Sequence, residues 1–256
     1  MNNLTTPELE VNVQEGVATM RVTRAMRRNA MDQALIDALR RAIIACDMAT
    51  EVRAIVLEGA APGFCAGSDL KYISALSLEQ MGRFEQETGD VGRLLAAISK
   101  PVVGAVEGFA IGGGFILAAC CDVVVTGRTA RWSLPEVPHG WLTPWGLKAL
   151  VARVGDVRAR NLCFCLRPLD GEQVTAMGVA DEVADDGTAL KRAHEIARHL
   201  ASLPPAAVQA TKRFFSPRIL DDGEAMDWEA NRLFVENCRT QEAQNTLRRH
   251  RAGAAS

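Results

Sequence analysis

The run from Lys100 to Glu136, KPVVGAVEGFAIGGGFILAACCDVVVTGRTARWSLPE, sets three adjacent glycines, Gly112, Gly113 and Gly114, between an apolar strand pattern and an apolar helix pattern. Glycine has no Cβ, so these backbone N–H groups can approach a ligand oxygen closely, and the helix that follows turns its positive dipole end toward the same spot. Glu136 then arrives in the loop LPEVPHG, in a region otherwise poor in charge. Partly enclosed by Trp132, Leu134 and Trp141, its ionised form is disfavoured by desolvation, which makes it a stronger base once charged. A glycine cluster alone serves tight turns, and a loop glutamate alone serves the surface or a cap. Here they occur together.

A second loop of the same kind lies upstream. FCAGSDLK, Phe64 to Lys71, follows the buried strand pattern RAIVLEG, as the glycine run follows VVGAV. Each loop offers backbone N–H groups beside glycine, so the pair can donate two hydrogen bonds to a single oxygen, the arrangement of an oxyanion hole.

Around these loops, strand and helix patterns alternate. LEVNVQEGVATMRVTR reads as a hairpin turning at Glu15 and Gly16, and Leu35, Ile36, Leu39, Ile43 and Ile44 recur at helical spacing. A charged helical stretch, LSLEQMGRFEQETGDVGRLLAAI, leads to Pro101. Strands separated by helices predict an α/β layered fold with its site at strand-to-helix turns. From about Asp156 the pattern is helical, apart from a short strand expected near Val183. Pro204 and Pro205 mark the boundary between a core, residues 1–200, and a helical C-terminal region, residues 201–256.

The 256 residues are 48% hydrophobic and 23% charged, with a formal net charge of −2, so neither nucleic acid nor an anionic membrane is expected as a partner. The seven cysteines sit in apolar runs and read as small core residues rather than a disulfide framework. MNNLTTPELE has neither an apolar h-region nor an Arg-rich import pattern, and Asp122 interrupts the longest apolar run, so a cytoplasmic protein is expected.

Other patterns fail. The glycines lack the G-x-G-x-x-G spacing, and no phosphate-loop motif occurs. HEIARH places His194 and His199 five apart, on different helix faces, so both read as surface residues rather than metal ligands. Ser68 is not in a G-x-S-x-G elbow. His139 is the one histidine beside the glycine-loop site, and LRRHR reads as a solvated face or subunit contact.

The sequence resembles the crotonase superfamily of enoyl-CoA hydratases and isomerases, through RNAMDQALIDAL, FCAGSDLK, KPVVGAVEGFAIGGG, CDVVV, LPEVPHG and the helical tail. The resemblance implies a core of repeated ββα units, C-terminal helices used in trimer assembly, trimers that pair into hexamers, and an acyl-CoA thioester as substrate. CoA then enters as part of the substrate, with no metal or separate cofactor. Carried over by position, the N–H groups of Ser68 and Gly113 hold the thioester oxygen and Glu136 is the catalytic carboxylate. Arg27, Arg28, Ala66, Ser68, Asp69, Leu70, Lys71, Gly112, Gly113, Ile116 and Trp141 line the acyl-CoA path, and Arg27, Arg28, Lys71 and Lys212 are candidates for its phosphates.

Hydratases of this pattern carry a glutamate where this chain has Ile116, together with one in the PE loop. A lone Glu136 fits the isomerase pattern, in which one base takes a proton from C2 of a 3-enoyl-CoA and returns it to C4. LTPWGLKALVARVG, lacking the hydratase's glycine-rich PGAGG, also resembles the isomerases. The competing readings are a 2-enoyl-CoA hydratase with water held by other groups, and a non-catalytic acyl-CoA binder.

Overall fold

The computed structural model describes residues 4–252. β1 (Leu9–Gln14) and β2 (Val17–Val22) form the expected hairpin. Glu15 and Gly16 both take left-handed backbone, at φ 53° and 79°, which matches the twist of the flanking strands. Asp32 caps α1 (Gln33–Met48) by accepting from Leu35 N–H, and β3 (Ala54–Gly59) runs parallel to β2. The Phe64–Lys71 loop leads through α2 (Leu70–Ile73) to α3 (Leu78–Ala97), which starts in a Ser77–Gln80 capping box.

β4 (Val102–Val106), β5 (Phe109–Ile111), α4 (Gly113–Ala119), β6 (Val123–Gly127) and β7 (Arg131–Ser133) follow. After α5 (Glu136–His139), α6 (Leu147–Val154), α7 (Asp156–Cys163) and α8 (Gly171–Met177), β8 (Glu182–Ala184) completes a six-stranded sheet of order β1-β2-β3-β4-β6-β8. All its pairs after β1–β2 are parallel. β5 and β7 pair separately in a two-stranded parallel sheet, too short for any period in the sequence to announce it.

Side chains alternate along each strand, so β3 offers Ile55 and Leu57 to one face and Ala54 and Val56 to the other. The first face builds the large core with α1, α3, α4 and α6. The second is covered by α9 (Ala189–Ser202), whose Ala189, Ala193 and Ala197 allow close approach to Val56, Val103 and Val125. On this helix His199 is exposed, while His194 is half-buried with its Nε2 3.4 Å from Thr19 Oγ1.

The C-terminal region begins at the two prolines and comprises α10 (Pro205–Phe215), α11 (Pro217–Leu220), α12 (Gly223–Asn237) and α13 (Gln241–Ala252). α12 lies along α3, and Phe234, Ala243 and Leu247 join the large core, so this region closes the core. Residues 1–3 and 253–256, the ends of the two expected regions, lie outside the described residues. Among the described residues no helix is long and apolar enough to cross a membrane, and no cysteine is in a disulfide.

Candidate active site

The two glycine loops touch. A Cβ on Gly114 would lie 2.1 Å from Cys65 O, and one on Gly67, at φ 85°, would lie 3.0 Å from Gly113 N. Only glycine allows chain to pass chain this closely. Ile111 N–H donates to Cys65 O, and the first loop is held from its other side by Met31, whose N–H donates to Gly67 O and whose carbonyl accepts from Asp69 N–H. Successive backbone groups alternate along an extended segment, so the Ser68 N–H between those two bonds faces away from Met31. Gly113 opens α4, where a first-turn N–H has no partner within the helix. Among the described residues neither the Ser68 nor the Gly113 N–H donates to any acceptor.

Both residues line a cavity of about 370 Å³. Its wall includes Arg28, Ala66, Leu70, Gly112, Glu136, His139, Trp141, Trp145, and Phe234 and His250 from the C-terminal helices. Gly112, at φ 56°, lets Glu136 press close: a Cβ there would sit 2.9 Å from Glu136 Oε1. Glu136 is 6% exposed, and its Oε2 is a buried atom with no hydrogen-bond partner. Burial pushes its carboxyl up to about 8, with the nearby Glu85 adding to the rise and the residue's own backbone N–H opposing it. A carboxyl so placed can accept and return a proton near neutral pH.

Sequence reasoning missed Glu85. This α3 residue lines the same cavity and is 2% exposed. Its Oε1 accepts from Ser68 Oγ at 2.7 Å and its Oε2 from Trp145 Nε1 at 2.9 Å. Burial pushes its carboxyl up to about 7 against the lowering effect of those two bonds. A signal was present: Met81, Phe84, Thr88, Val91 and Leu95 mark the buried face of α3, and Glu85 lies on it. An acid on an apolar stripe is a departure worth reading for function.

Several expected residues stand elsewhere. Lys212 does not reach the cavity; its buried Nζ donates to Leu95 O, Lys100 O and Asp122 Oδ2 at 2.7, 2.8 and 2.6 Å, which corrects its assignment to a phosphate. Ile116 is fully buried against Gly146 and does not line the cavity, because the turn of α4 that carries it faces the core. Asp69 is spent on capping α2, accepting from Lys71 and Tyr72 N–H, and Arg27 and Lys71 point outward as exposed side chains off the cavity wall. Arg28 does line the wall, its guanidinium 4.5 Å above the Phe109 ring, while its carbonyl accepts from Ala66 N–H. Trp132 and Leu134, expected around Glu136, also lie off this wall; Trp132 Nε1 donates to Thr126 Oγ1. Burial lowers the His139 imidazole, helped by His250 and Arg249.

The parallel sheet, flanked by helices, thus carries two glycine loops that meet beside a buried carboxyl. The sequence pattern of enoyl-CoA hydratase/isomerase matches residues 12–251, and the chain belongs to that family. It is 33% identical to the probable enoyl-CoA hydratase echA6 of Mycobacterium leprae, covering 86% of each chain. It is 31% identical to the 2,3-dehydroadipyl-CoA hydratase of Escherichia coli, covering 80% of each. It is also 31% identical to the human mitochondrial methylglutaconyl-CoA hydratase over 77% of its own length, and there it spans only 60% of the relative. Among solved structures, Pseudomonas aeruginosa OdaA matches at 28% identity with a TM-score of 0.85, covering 95% of this chain and 98% of that one.

Proposed function

We propose that this chain acts on acyl-CoA thioesters and converts 3-enoyl-CoA to 2-enoyl-CoA, with Glu136 as the single base. The observation that carries this is the Glu136 carboxyl beside Gly112, whose buried Oε2 has no hydrogen-bond partner among the described residues. The ionised carboxylate takes a proton from C2 and the electron pair moves into a dienolate. The same oxygen then returns the proton at C4, leaving the double bond conjugated with the thioester. The Ser68 and Gly113 N–H groups hold the thioester oxygen as its charge grows, one such donor being worth about 3 kcal/mol. CoA comes and goes with the substrate. An isoleucine at position 116, where hydratases of this pattern carry a second glutamate, supports one base over two.

A carboxyl at about 8 is mostly protonated at neutral pH, so kcat/KM rises with pH until Glu136 is ionised. Incubation with a 3-enoyl-CoA should raise the absorbance of the conjugated thioester, and Glu136→Gln should cut that rate by about a thousandfold while CoA-ester binding survives. Retention of the rate by the variant rules the base out.

A second reading, hydration of 2-enoyl-CoA, is favoured by Glu85, which gives the cavity a second buried carboxyl. It also fits the hydratase names of the relatives. Loss of conjugated absorbance from a 2-enoyl-CoA would select it. In either case we expect trimers or hexamers, to which exposed Phe214, Phe215 and Trp228 on the C-terminal helices are suited.

A further inference from the structure

Glu85 is buried without a cationic partner among the described residues, and burying a carboxylate this way is costly unless its oxygens are satisfied. Both are satisfied, and the two donors come from different segments of the cavity wall. Ser68 Oγ belongs to the first glycine loop. Trp145 reaches Glu85 through its indole N–H, while its ring lies against the second loop, with Cζ2 3.1 Å from where a Gly113 Cβ would be. The other edge of the indole is seated on α3 itself, where a Cβ on Gly92 would come within 3.1 Å of Cζ3, and one on Gly89 within 2.9 Å of Trp145 Cβ. A neutral amide at position 85 cannot accept from both donors, because one of its two ends is itself a donor.

We infer that Glu85 is a positioning residue whose two oxygens tie Ser68 and Trp145 into one unit and thereby fix the separation of the Ser68 and Gly113 main-chain N–H groups across the cavity. The inference rests on the reading that those N–H groups hold a thioester oxygen. It extends the site to a helix outside both glycine loops. Displacements well under an ångström matter here, since an oxyanion donor acts only near hydrogen-bond distance from the place where charge develops.

The test uses acetoacetyl-CoA, whose bound enolate is read directly by ultraviolet absorbance without turnover, and butyryl-CoA, which binds but cannot form the conjugated enolate. Three variants separate the parts: Glu85→Gln, Ser68→Ala, which keeps the main-chain N–H, and Trp145→Phe, which keeps the ring. The expected result is a loss of about tenfold in the enolate-to-ketone ratio for each, with butyryl-CoA affinity within about twofold of the parent protein. Glu85→Gln with Ser68→Ala should then lose far less than the product of the single losses, because both break one linkage. Multiplicative losses, equal losses for both ligands, or unchanged enolate overturn the role of Glu85. If the parent protein itself binds acetoacetyl-CoA only as the ketone, the paired N–H reading fails and takes this one with it.

Discussion

Two regions of this molecule bury charge, and they treat it in opposite ways. Along the seam between α3 and the C-terminal helices, Asp227 pairs with Arg93 and accepts from Gly146 N–H, while Lys212 is bound by two carbonyls and Asp122. In the cavity, Glu136 and Glu85 form no ion pair among the described residues, and Glu136 Oε2 has no hydrogen-bond partner there. The seam uses its charges to hold helices in register. The cavity leaves its acids hard to ionise, which costs stability and yields groups that exchange protons near neutral pH.

The difference has a sign that stability measurements can check. Glu136 stands at 4.5 as a free carboxyl and at about 8 in the folded chain. Between those values the folded state holds a proton that the unfolded state has released, so stability falls as pH rises through that window and levels off above it. The loss at full ionisation is on the order of 5 kcal/mol. Glu136→Gln should therefore be more stable than the parent at pH 8 in denaturant titration, while losing its proton-transfer activity. A smaller downward slope should remain up to about pH 7, belonging to Glu85. An unchanged profile in Glu136→Gln would mean that its carboxyl is not isolated from water as described.

The seam should respond the other way. Lys212→Met strands two carbonyls and part of Asp122, and should lower stability by about 3 kcal/mol without altering the enolate-to-ketone ratio of bound acetoacetyl-CoA in the folded fraction. A shift in that ratio would return Lys212 to the site from which its hydrogen bonds remove it.

The same contrast explains what was legible in the chain. The hairpin at Glu15 and Gly16, the Asp32-capped helix and both glycine loops announce themselves because local chemistry, left-handed turns and missing Cβ atoms, leaves its mark within a few residues. Glu136 was readable because its loop holds little other charge. The role of Lys212 was not, because its three acceptors lie some hundred residues away in sequence, on α3, in the loop before β4 and in the bend before β6. Glu85 was hidden in a helix rich in charge, where only its place on the buried face separates it from Glu79 or Glu87. The partnership with Ser68 and Trp145 is a property of how three segments meet, which no single window of sequence contains.

Exposed charge on the same helix supplies the weakest end of the comparison. Arg83 and Glu79 are one turn apart on α3, 3.5 Å from each other, with side chains 70% and 85% exposed. Water solvates both ions nearly as well apart as together, and ordering two long side chains offsets the attraction. Arg83→Ala should therefore move stability by only about 0.3 kcal/mol, and less still in high salt. A loss of a kilocalorie or more would show that this face of α3 is covered in the assembled protein, and that its charges belong with those of the seam.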